Sequence, residues 1–200
     1  MQDTSKPTKR AAERIRETAE ELFYREGIRA VGVDEIVSRA GVTKPSLYRT
    51  YPSKDELAAD YLRHHGAERL KAFDALFADG KDARASLRKW LFGIQTRAST
   101  PEYRGCGNSN AVVEYPHPDH PARQAALEVK RQFRERYRNV AKKLGAKNPA
   151  MLADMLILLI EGAHLSGQLF GAEAPARHLV AAADALIDAH IPHPQKAKGA

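Results

Sequence analysis

Absences bound this 200-residue chain before any motif does. Its one cysteine, Cys106, excludes an intramolecular disulfide and suits a reducing compartment. There is no Gly-rich phosphate loop, HExxH, GxSxG or paired-cysteine motif, so nothing points to an enzyme, a metal or a cofactor. No stretch alternates apolar and polar residues for long enough to make a strand, and there is no internal repeat. The first ten residues, MQDTSKPTKR, lack the apolar core of a signal peptide. The most apolar run, Met155 to Ile160, is bounded by Asp154, Glu161 and His164. It falls well short of the roughly 20 residues that a bilayer span needs. A buried helix, no membrane partner and a cytoplasmic location are therefore expected. Acidic side chains are also missing from Ile36 to Lys54, whereas Asp34, Glu35, Asp55 and Glu56 flank that stretch.

What fills the acid-free stretch is informative. In VDEIVSRAGVTKPSLYRTYPSK, residues 33 to 54, Ile36, Val37 and Ala40 share one face and predict a short, half-buried helix. Gly41 can stop it in a left-handed conformation, and Val42 can pack into the turn. Thr43 can cap the next helix, and Pro45 costs no intrahelical bond in a first turn. Leu47 and Tyr51 point back at the first helix, which leaves Lys44, Ser46, Tyr48 and Arg49 outside. Pro52 ends the helix, and Ser53 with Glu56 predicts a capping box that starts another. Two short helices around a glycine turn form a helix-turn-helix, whose second helix places its N-terminal end in the DNA major groove. The basic residues Arg39, Lys44, Arg49 and Lys54 suit a phosphate backbone, which would repel carboxylates. Lys44 can reach a guanine edge or a phosphate, and Ser46 can read base edges. Tyr48, Tyr51 and Lys54 can reach phosphates, while Thr43 and the free N–H groups beside Pro45 can bind one.

Residues 10 to 63 resemble the DNA-binding domain of the TetR (tetracycline-repressor) family of bacterial transcription regulators. The resemblance rests on ELFYREGIRAVGVDEIVSRAGVTKPSLYRTYPSKDEL: Leu22-Phe23 before Gly27, the Val33 to Ala40 helix, Gly41-Val42, Leu47-Tyr48, Tyr51 and Ser53-Lys54. The chain departs from the family at Thr50, often a His or an aromatic there, and at Tyr51, often a Phe. The resemblance implies DNA contacts at the positions named above, with Tyr48 and Lys54 on the backbone. It also implies a homodimer on a palindromic operator and a small-molecule effector that releases a repressor. An architectural or ligand-independent DNA-binding protein is the alternative.

The expected fold is all-α: a three-helix DNA-binding domain at 9–63, then a helical effector-binding and dimerisation domain at 64–191. A flexible arm at 1–8 and a disordered tail at 192–200 flank them. Helices are predicted from about Lys9 to Glu26, from Ser53 to near Gly80, and over Ala83–Ala98, Asn108–Tyr115, Ala122–Leu144, Pro149–Phe170 and Pro175–His190. The last two carry wide apolar faces with small residues, and these are the predicted dimer surface. Candidate effector-pocket residues are Trp90, Ile94, Asn108, Asn110, Glu114, Phe133, Tyr137, Met155 and His164, aromatic walls with a few polar groups. His117, Asp119 and His120 form too small a set for a metal site. Net charge is +1 over residues 1–63, +8 over 64–148 and −2 over 149–200. The excess concentrates between Lys130 and Lys147, where a solvated helix face is expected.

Overall fold

The computed structural model describes residues 10–80 and 82–191. The predicted arm and tail lie outside them. Among the described residues the regular structure is helical, and no strand is present. Two compact units emerge.

The first unit comprises the chain up to Gly66 together with Gly107–Leu127. Helix α1 (Ala11–Glu26) buries Ile15, Ala19, Leu22 and Phe23, the stripe that its 3.6-residue spacing predicts. Gly27 ends it at a φ of 91°, where a side chain would be strained. Helices α2 (Val33–Ala40) and α3 (Lys44–Thr50) follow, and α4 (Lys54–Leu76) starts where the Ser53 hydroxyl accepts the Glu56 N–H at 3.1 Å. Short helix α6 (Gly107–Glu114) and the first turns of α7 (Pro121–Lys143) complete this unit. Their Ala111, Ala122, Ala125 and Ala126 are fully buried in the same core as α1 to α3. A single boundary near residue 64 therefore does not describe the packing. Glu114 explains why the later segment returns. Its carboxylate accepts the Arg29 N–H at 2.9 Å, across 85 residues of chain.

The second unit comprises Ala67–Cys106 and the chain from Glu128 onward. Helix α5 (Ala83–Ala98) is capped by Asp82, whose carboxylate accepts the Ala85 N–H at 2.8 Å. It packs against α8 (Pro149–Phe170) so closely that a Cβ on Gly167 would lie 2.8 Å from the Ala98 carbonyl. The last helix is shorter than expected. Two 3₁₀ turns at Gly171–Glu173 and Pro175–His178 precede α9 (Leu179–His190).

Two expectations change here. Helix α8 has its predicted bounds, Pro149–Phe170. Within Pro149–Glu173 an 18-residue window reaches a mean hydropathy of 1.4, long and apolar enough to cross a bilayer by length and composition alone, as core helices of soluble proteins also are. The helix is not buried all round: Leu152, Leu156, Ile160 and Ala163 face the core, whereas Leu158 and Leu165 are exposed. The basic helix α7 is not a bare solvated face. Arg134 binds Asp154 through two hydrogen bonds of 2.7 and 2.6 Å, and Arg136 binds Asp74 through two of 2.8 and 2.7 Å. Lys130 pairs with Glu161, and Arg138 with Glu135. These acids sit on α4, α7 itself and α8, so much of the predicted charge excess is balanced within the unit.

Candidate nucleic-acid interface

The turn between α2 and α3 is built by local chemistry. Gly41 takes the left-handed conformation, φ 61° and ψ 41°. Its N–H donates to the Ser38 carbonyl, and the Val42 N–H reaches back to the Val37 carbonyl at 3.0 Å. That bond pair is a Schellman motif, and Val37 and Val42 are its apolar pair. Thr43 is the N-cap of α3, its hydroxyl accepting the Ser46 N–H at 3.4 Å. Leu47 is fully buried and pins α3 to α1 and α2. The opposite face then holds Thr43, Lys44, Pro45, Tyr48 and Arg49 in solvent, with Ser46 half-exposed. Arg49 donates to the Ser46 hydroxyl at 3.4 Å, and the Thr50 hydroxyl donates to the Ser46 carbonyl.

The basic residues of this segment divide into three kinds. Lys44 pairs with Asp34 at 2.7 Å and Arg39 with Glu35 at 2.9 Å, both on the surface. Asp34 holds the Lys44 ammonium above its ordinary pKa. Exposed pairs of this sort are weak and screened, so a phosphate can replace the carboxylate. Among the described residues, Arg49 makes only the long contact to Ser46. Lys54 turns inward, donating to the carbonyls of Ile28 and Val31 at 2.9 Å each and of Arg29 at 3.5 Å. Three carbonyls match the three donors of an ammonium. Tyr51 also turns inward, its hydroxyl donating to Asp60 at 2.9 Å. Burial first, then Asp60, push its pKa up to about 12. The sequence marks Lys54 and Tyr51 as phosphate contacts, whereas their side chains here serve the unit's own framework. Arg29 is the residue that spacing misses: both its N–H and its guanidinium bind Glu114.

The candidate pocket residues separate. Asn108, Asn110 and Glu114 belong to the first unit, and Trp90, Ile94, Phe133, Tyr137, Met155 and His164 to the second. In the second unit Trp90 Nε1 donates to the Tyr137 hydroxyl at 2.9 Å and stacks on Phe133 with ring centres 5.9 Å apart. Phe73 packs edge-on to Trp90 at 5.0 Å. Ile94 is buried beside them, and Met155 is half-buried on α8. His164 Nδ1 and the Tyr103 hydroxyl share a 2.6 Å hydrogen bond. Among the described residues no cluster of three metal-ligating side chains exists. In the His117–Pro121 turn, His117 Nδ1 accepts the Asp119 N–H, and the His120 ring stacks on Tyr115 at 3.7 Å.

Residues 15–61, the stretch just described, match the family model for "Bacterial regulatory proteins, tetR family". Among curated proteins, the transcriptional activator FasR of Mycolicibacterium smegmatis is 49% identical over 47 residues, 24% of this chain and 22% of its own. The transcriptional repressor KstR2 of Rhodococcus jostii is 33% identical over 85 residues, 42% of this chain and 41% of its own. The chain thus spans less than half the length of these relatives. Solved structures extend the likeness across the whole fold. SCO4454, a TetR-family regulator from Streptomyces coelicolor, is 29% identical with a TM-score of 0.85, covering 91% of this chain and 96% of its own. The putative regulator sav143 from Streptomyces avermitilis is 30% identical with a TM-score of 0.80, covering 92% and 100%. With the capped helix-turn-helix inside the matched residues and the likeness running through both units, the chain belongs to the TetR family of bacterial transcription regulators.

Proposed function

We propose that the chain is a repressor that binds a palindromic operator as a homodimer and is released by a small-molecule effector. The observation that carries the reading is the capped start of α3, which presents Thr43, Lys44, Pro45, Ser46, Tyr48 and Arg49 to solvent in a stretch free of acids. Arg49, Tyr48 and Lys44, once freed from Asp34, supply phosphate contacts. Ser46 supplies base readout at the helix end that enters the groove. Lys54 and Tyr51 contribute by holding the connector and α4 in place.

One α3 offers few base contacts, so a second copy is needed for specificity. Helix α8 supplies a reason to pair. Met151, Leu158, Leu165 and Leu169 fall at intervals of seven and four residues along one face and are 49%, 72%, 59% and 65% exposed. On α9 the exposed positions include Ala181, Ala182, Ala185 and Ala189, which let a neighbouring helix approach closely. The aromatic and polar groups around Trp90 and His164 in the second unit are the proposed effector site.

Fluorescence anisotropy on a palindromic duplex taken from the DNA flanking the chain's own gene tests the reading. Two chains should bind per duplex, and a compound that raises the melting temperature by binding the folded chain should weaken duplex binding. Binding by a single chain, or duplex affinity unmoved by such a compound, would count against it.

A further inference from the structure

Five lysine and arginine side chains of the second unit are half-buried among the described residues: Arg69, Arg84, Lys130, Arg136 and Arg138. Four of them bind carboxylates: Arg84 with Asp184 and Asp188, Lys130 with Glu161, Arg136 with Asp74, and Arg138 with Glu135. Arg69 does not. Its guanidinium lies over the Trp90 ring, 4.5 Å from the centroid, and among the described residues no ion pair joins it to a carboxylate. Its charged neighbour is another cation, Arg97. Burial first, then Arg97, pull the guanidinium below its usual pKa range, the sign of a cation without a counter-ion. The same surroundings act on His164. Burial first holds its ring down; Glu161 opposes this, while Lys130, Arg97 and Arg69 add to it. With the imidazole neutral, this neighbourhood holds three cations against one anion.

We propose that Arg69 and Arg97 form the anion-binding end of the effector site, and that the effector is a small aromatic carboxylate. An unmatched, partly desolvated guanidinium favours a carboxylate, which it can bind bidentately. Phe133, half-buried where it stacks on Trp90, supplies the apolar wall for a ring. This rests on the reading of the second unit as effector-binding.

Trp90 is the chain's one tryptophan, so intrinsic fluorescence reports on the site directly. The full chain is titrated with benzoate and phenylacetate, and with benzamide and phenylacetamide, at constant ionic strength. The expected result is a saturable change in Trp90 emission with the carboxylates and at least about tenfold weaker binding of the amides. Arg69→Gln should weaken carboxylate binding by about tenfold or more. Arg97→Gln, at an exposed position that folding does not need, should weaken it several-fold with the melting temperature unchanged. Equal affinity for acids and amides, wild-type affinity in Arg97→Gln, or no saturable change with either carboxylate overturns the anion site. Operator affinity is measured in parallel. Carboxylate binding that leaves it unchanged overturns the effector role but not the site. Absent carboxylate binding with operator binding intact overturns the site alone.

Discussion

At the scale of single residues, position in sequence and position in space part company at Lys54. Its ammonium satisfies carbonyls of the connector between α1 and α2, including Ile28 and Val31 at 2.9 Å. Replacing it by methionine keeps the stem and leaves those carbonyls without their donor. Lys54→Met should therefore lower stability by about 1–3 kcal/mol in urea or guanidinium unfolding. A purely DNA-contacting lysine would leave the unfolding midpoint unchanged. His164 carries the second residue-scale prediction. Its pKa is lowered to about 4 from 6.5, first by burial and then by its cationic neighbours. Between those values the unfolded chain binds a proton that the folded chain does not, so stability must fall as pH drops from 6.5 towards 4. Thermal melts should show that loss in the wild type and a shallower one in His164→Gln. Identical pH profiles would show that the imidazole is not held neutral in the fold.

At the scale of elements, what could be read in the sequence was what local chemistry decides. Gly41, Thr43 and Pro45 set the turn and the cap of α3 within a few residues, and α5 and α8 have the bounds that their stripes and caps predict. Contacts across many residues were not legible. Nothing near Glu114 announces that it binds Arg29, 85 residues away, and so nothing assigns α6 to the unit of the helix-turn-helix. The inward turn of Lys54 is hidden for the same reason, since its acceptors lie 23 to 26 residues upstream. The charge-rich pattern of α7 could not reveal that its partners sit on α4 and α8. Nor does apolar periodicity say which half of α8 is covered by the chain's own core. The exposed stripe yields a prediction at this scale. Leu158→Glu with Leu165→Glu places charge on two positions that are 72% and 59% exposed, so the fold should survive. Sedimentation equilibrium should show a shift from dimer to monomer, with the far-ultraviolet helical signal retained. A monomeric wild type, or a dimer that tolerates both glutamates, would remove α8 from the interface.

At the scale of the whole molecule, a net charge of +7 does not make the proposed DNA-binding domain basic, since residues 1–63 carry only +1. Under the proposed function, affinity for DNA then depends on a few placed contacts and on two copies acting together, rather than on a general positive field. On the proposed reading, specificity comes from a short helix end repeated by a twofold axis. Selection of bound duplexes from a random-sequence pool by the full chain, in parallel with Ser46→Asn, tests this most directly. The account predicts an inverted repeat whose half-site centres lie about 10–10.5 base pairs apart, or a multiple of that. It further predicts that Ser46→Asn changes the preferred base at the same position of both half-sites and leaves the spacing alone. A consensus without inverted symmetry, or one that Ser46→Asn does not alter, would contradict it.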